Sequence, residues 1–172
     1  MAEIKDRENA LIMETSKGKV VIELLPDLAP GHVARIKELA REGAYDGVMF
    51  HRVIEKFMAQ TGDVEFANST KPSFSKARFG TGGSDKPDLK AEFSRLKHVR
   101  GTCSMARSSN PDSANSQFFI CFGNTPHLDG QYTIWGQVLE GMENVDKLTT
   151  TEPPRGELDK IVSVKVAADV AA

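Results

Sequence analysis

Cysteine is scarce: Cys103 and Cys121 are the only two in 172 residues, too few for a disulfide framework. Small or apolar residues flank both, so buried, reduced thiols are expected. An excess of charge of one sign is also missing. The 22 basic and 24 acidic side chains leave a formal net charge of −2, so no polycationic surface exists for phosphate backbones or anionic lipid, which argues against nucleic acid and membrane surfaces as partners. Long hydrophobic runs are absent too. The longest, Phe118-Phe119-Ile120-Cys121-Phe122, falls far short of the ~20 residues that span a bilayer. Where a secretory leader would be apolar, Met1-Ala2-Glu3-Ile4-Lys5-Asp6-Arg7-Glu8 alternates charges, so a cytoplasmic protein is expected.

What is present suits one folded unit. Hydrophobic residues make up 40%, which excludes global disorder. No fixed-period repeat or Pro/Ser-rich linker divides the chain, so residues 1–172 are read as a single domain with its core at about 10–167. Residues 10–25 read as a hairpin: Ala10-Leu11-Ile12-Met13, a turn at Ser16-Lys17-Gly18, then Val20, Ile22 and Leu24 alternating with Glu23. From Pro30 to Arg41 the period lengthens: Val33, Ile36 and Ala40 share a face, and Arg35, Lys37, Glu38 and Glu42 lie largely elsewhere. Val48–Ile54, Val99–Arg107, Gln117–Phe122, Tyr132–Leu139 and Ile161–Val166 read as strands, and Met142, Val145 and Leu148 as a second short helix. Two helices and about eight strands favour a mainly β fold, a closed antiparallel barrel, over a doubly wound α/β sheet. Between Asp63 and Phe93 polar and Gly residues dominate, and loops of that length are usually functional or mobile.

Most familiar chemistries lack their residues. Gly80-Thr81-Gly82-Gly83-Ser84-Asp85-Lys86 has no Gly-Lys-Ser/Thr ending, so it reads as a tight loop whose backbone approaches something closely rather than as a phosphate cradle. His32, His51, His98 and His127 show no metal-ligand spacing, and no Gly-x-Ser-x-Gly elbow is present. No metal or cofactor is expected. Attention falls on Phe50-His51-Arg52 through Phe57-Met58-Ala59-Gln60, where Arg52 shares a strand face with Val48, Phe50 and Ile54. Either that face opens onto a wet cleft or Arg52 snorkels to solvent. A second window, Met105-Ala106-Arg107 with Ser116-Gln117-Phe118-Phe119, repeats the mixture of Phe, Met and amide.

These windows, with Gly80-Thr81-Gly82-Gly83, Leu128-Asp129-Gly130 and Gly141-Met142, resemble the cyclophilin family of peptidyl-prolyl cis-trans isomerases from about Leu11 to Val166. The resemblance implies an eight-stranded antiparallel β-barrel capped by two helices. It also implies an enzyme that accelerates rotation about X-Pro bonds and so assists folding. Arg52 would then donate to the prolyl nitrogen and carbonyl. Phe57, Met58, Phe119 and Leu128 would grip the proline ring, Gln60 with the backbone at Ala106 and Arg107 would anchor the peptide, and Gln117 would orient Arg52. His51 reads as a structural histidine. The chain has His127 where many members carry Trp, Tyr132 where they carry His, and Arg107 where Asn is common. Since the Trp is associated with tight cyclosporin binding, His127 implies weakened affinity for that drug. The segment 64–79 looks longer than in compact members. Expected partners are proline-containing peptides and unfolded or partly folded proteins, bound by a monomer. The rival reading is a non-catalytic proline-binding module or holdase.

Overall fold

The computed structural model describes residues 4–170, so Met1-Ala2-Glu3 of the charge-alternating N-terminus lie outside it. Among the described residues the hairpin forms as expected: β1 (Ala10–Thr15) pairs antiparallel with β2 (Gly18–Leu24). Helix α1 (Pro30–Arg41) follows, then β3 (Arg52–Ile54), β4 (Met58–Thr61), β5 (Thr102–Met105), β6 (Phe118–Cys121), β7 (Ile134–Glu140), α2 (Met142–Val145) and β8 (Ile161–Val166). The eight strands form one antiparallel sheet in the order β3-β4-β6-β5-β7-β2-β1-β8.

The expected closed barrel is corrected to an open, curled sheet, for β3 and β8 are its ends and form no ladder with each other. The outer edge of β3 is occupied instead by 151–152: Thr151 N–H donates to the Val53 carbonyl at 2.8 Å, and Ile54 bridges Glu152. The residues before β8 meet the chain upstream of β3, through a Met49–Lys160 bridge and a bond from Ile161 N–H to the Val48 carbonyl at 2.8 Å. The expected strand Val48–Ile54 is accordingly broken. Val48 and Phe50 pack in the main core, and only Ile54 of the proposed face stays with Arg52.

That main core fills the curl. Trp135 is fully buried, Phe118 packs edge-on to it at 5.3 Å, and Tyr45 packs edge-on to Phe118 at 5.5 Å. Helix α1 lies across β8 and β7 with Val33, Ile36 and Leu39 inward. Arg35, placed off the apolar face by the helical period, is nonetheless buried and donates to the Pro87 and Asn115 carbonyls. These acceptors come from distant segments, which a helical period cannot reveal. The amides of Gly31 and His32 in the first turn of α1 donate to the Glu92 carboxylate, an acceptor suited to a helix start. Cys103 and Cys121 are buried and free, as read from their neighbours. Among the described residues, no helix is long and apolar enough to cross a membrane.

Candidate active site

The site is built on a hairpin that the strand pattern missed, because β4 is short and follows β3 after a three-residue turn. Antiparallel pairing sets Arg52 opposite Gln60, Val53 opposite Ala59 and Ile54 opposite Met58. The next strand continues the row, with Gln60 opposite Phe119 and Met58 opposite Cys121. Alternation then sorts the side chains. Phe118 and Ile120 enter the main core, whereas Met58, Phe119, Cys121 and Leu128 form a second apolar cluster. Ile54, Phe57, Ala106 and Tyr132 pack against its edge.

Over this cluster opens a pocket of about 160 Å³ lined by Arg52, Phe57, Met58, Gln60, Ala106, Arg107, Phe119, Leu128 and Tyr132. Every one of these residues was singled out in the sequence. Gln117 lies instead in an adjoining cleft of about 450 Å³, where its Oε1 accepts from Gln60 Nε2 at 3.0 Å and its Nε2 donates to the Gly82 carbonyl at 2.8 Å. His127 is exposed at the pocket edge, its ring 5.5 Å from that of Phe57.

Arg52 is 48% exposed, and Glu152, 3.8 Å from its Nε, is too distant and too solvated to hold it. Its guanidinium therefore remains available to an incoming group. Behind the pocket, Phe119 is wedged between the His98 ring, stacked at 6.2 Å, and the edge-on Tyr132 ring at 5.8 Å. His98 is fixed by Asp129 Oδ1 at 3.0 Å from Nδ1 and by Ser104 Oγ at 2.9 Å from Nε2. Burial pushes the pKa of His98 down, against the pull of Asp129, and so favours a neutral imidazole.

A buried carboxylate organises the loop beside the site. Asp63 accepts the amides of Glu65, Phe66, Gly80 and Gly82 at 2.9–3.1 Å. The Gly80–Gly83 amides that a phosphate would need are thus partly taken, and a side chain at Gly82 would collide with Asp63. The close approach expected of this loop is to Asp63. Because the same Gly82 presents the carbonyl that holds Gln117, a chain of contacts runs from Asp63 to Gln60. Sequence reading assigned no role to Asp63 or His98; the ordered motif around Asp129 was the only hint of the second network.

His51 points away from the pocket, its ring 6.3 Å from Phe79. Both ring nitrogens are shut from water without a partner, and burial lowers its pKa to about 4, which suits a structural histidine rather than an acid or base at neutral pH. Burial also pushes the Cys121 thiol up to about 11, so it is no nucleophile.

Residues 10–166 match the family described as cyclophilin type peptidyl-prolyl cis-trans isomerase/CLD. A Brucella suis protein named "probable peptidyl-prolyl cis-trans isomerase" is 56% identical over 98% of this chain and 87% of its own length. Among solved structures, a cyclophilin from Hirschia baltica superposes with TM-score 0.83 at 31% identity, over 96% of this chain and 76% of the other. A Cryptosporidium parvum cyclophilin-type isomerase, crystallised in the presence of the dipeptide Ala-Pro, gives 0.78 at 25% identity over 91% and 98%. The apolar pocket flanked by an exposed guanidinium agrees with these matches, and the chain belongs to the cyclophilin-type peptidyl-prolyl cis-trans isomerase family.

Proposed function

We propose that Arg52 carries the family's reaction in this chain by hydrogen bonding to the twisted amide of an X-Pro bond while the proline ring sits on Phe57, Met58, Phe119 and Leu128. The barrier to be lowered, ~18–20 kcal/mol, comes from amide resonance. No covalent bond changes. As the bond twists, the prolyl nitrogen recovers a lone pair, and a donor that meets it only then stabilises the transition state over the ground state. An always-protonated guanidinium suits this role better than a titrating group, since it also reaches the prolyl carbonyl with its planar fork. The observation that carries this reading is the pairing of Arg52 with Gln60 across β3 and β4 above the second apolar cluster.

In the same reading Gln60 and the backbone of Ala106 and Arg107 anchor the peptide, and Gln117 orients Arg52 through Gln60. Substrates are proline-containing segments of unfolded or partly folded proteins, whose folding the chain assists. The Ala-Pro dipeptide used with the Cryptosporidium parvum relative is a ligand of that class. The whole chain acts as one monomeric domain in the cytoplasm, with cyclosporin affinity weakened by His127.

Enzyme and holdase part on one measurement. A solvent jump that perturbs the cis/trans ratio of a blocked Ala-Pro-Phe peptide is expected to relax faster with catalytic amounts of the protein, to an unchanged equilibrium ratio. Relaxation at the uncatalysed rate, with peptide bound stoichiometrically, would favour the binding module.

A further inference from the structure

Two positions where this chain departs from the family pattern, Arg107 and Tyr132, meet in space. The Arg107 guanidinium lies 4.4 Å from the centre of the Tyr132 ring. Its Nε donates to the Gln131 carbonyl at 3.2 Å, Nη2 donates to the same carbonyl, and Nη1 donates to the Ser108 carbonyl at 2.9 Å. These acceptors are neutral, so they fix the guanidinium without cancelling its charge, and the ring face adds a cation–π contact.

Arg107, Gln60 and Ala106 line both the pocket and the adjoining cleft, so they form the ridge between the two. The pocket lining holds two guanidiniums and no carboxylate. Four carboxylates belong to the surroundings: Glu152, 3.8 Å from Arg52; Asp88 in the cleft, which accepts from Asn115 Nδ2 at 3.1 Å; Asp63, which accepts the Gly80 and Gly82 amides; and Asp129, which holds His98. The groups that Arg107 bonds are instead the Gln131 and Ser108 carbonyls. A peptide crossing the ridge therefore meets a held, uncompensated positive charge.

We propose that Arg107 is a specificity residue that favours an acidic side chain immediately before proline. The inference rests on the reading above: with Arg52 at the prolyl nitrogen and carbonyl and the 106–107 backbone holding the chain, Arg107 lies on the side of the residue preceding proline. A carboxylate there gains a stationary partner, and an ammonium meets a like charge. Because the ridge is partly exposed, the effect is modest and salt-dependent.

The test uses blocked Ala-X-Pro-Phe peptides with X as Glu, Gln or Lys, each catalysed rate being referred to that peptide's uncatalysed rate in exchange NMR. The order expected at low salt is Glu, Gln, Lys, with kcat/KM for Glu exceeding that for Lys by roughly 5- to 10-fold. In 1 M salt, where the Debye length falls to ~3 Å, this ratio is expected to approach one. It should also approach one in Arg107→Gln and keep its direction in Arg107→Lys. Equal acceleration of the three peptides at low salt, or an undiminished ratio in Arg107→Gln, overturns the charge preference alone. Acceleration of none of them overturns the isomerase reading of the site and this inference with it.

Discussion

At the scale of single residues, His51 shows how burial turns a side chain beside the reactive centre into a structural one. Above pH 6.5 it is neutral in both the folded and unfolded chain. Between 6.5 and about 4 the unfolded chain takes up a proton that the folded chain refuses, so stability falls as the pH drops through that window, and below it the loss is complete. The total is on the order of 3 kcal/mol. His32 and His98, whose pKa values burial also lowers, act in the same direction. Urea unfolding at pH 7 and pH 4.5 is therefore expected to show a smaller acid loss in His51→Phe than in the wild type, and parallel losses would refute this account of His51. Sequence made His51 legible as non-catalytic because strand alternation sets it on the face opposite Arg52. The physical cause, an imidazole enclosed with no partner, needed Phe79 and Gly80 brought against it by the long loop. Arg52 was legible because a charge among apolar strand residues is a misfit that invites explanation. Arg35 was not, since on a helix the same charge looks like a solvated face.

Among the elements, the β3–β4 hairpin and its junction with β6 decide where the chemistry sits. Gly62 ends β4 with φ of +94°, and a Cβ there would come within 2.5 Å of the Ser116 carbonyl oxygen, while Ser116 Oγ donates to the Gly62 carbonyl at 2.7 Å. This contact holds β4 against β6 and hence Gln60 beside Phe119. Gly62→Ala adds left-handed strain and a backbone collision, so it is expected to lower stability by about 2–4 kcal/mol and to reduce turnover as the strands part. Urea midpoints and turnover matching the wild type would contradict it. The long strands β1, β2, β7 and β8 were readable from alternation because one face of each meets the core. β4 has too few residues to establish a period, and the opening of the barrel depends on 151–152 capturing the edge of β3, a contact about a hundred residues apart.

Across the whole molecule, the Phe-rich windows divide between two apolar clusters with different duties. Phe50 and Phe118 stabilise the curl, and Phe122 packs against the same core. Phe57 and Phe119 line a pocket whose rim carries the two arginines. The near-balanced charge agrees with a ligand recognised by shape and short-range hydrogen bonds, with selectivity confined to the Arg107 ridge. The central claim is that catalysis resides in the Arg52 guanidinium and binding in the apolar pocket below it. It is tested most directly by exchange NMR on one X-Pro peptide with wild type and Arg52→Ala, measuring turnover and peptide affinity in the same samples. Loss of one preorganised donor predicts a fall in kcat of about 10²–10³-fold, with the chemical-shift signature of the folded protein kept and affinity changed far less. Wild-type turnover by folded Arg52→Ala would contradict the account.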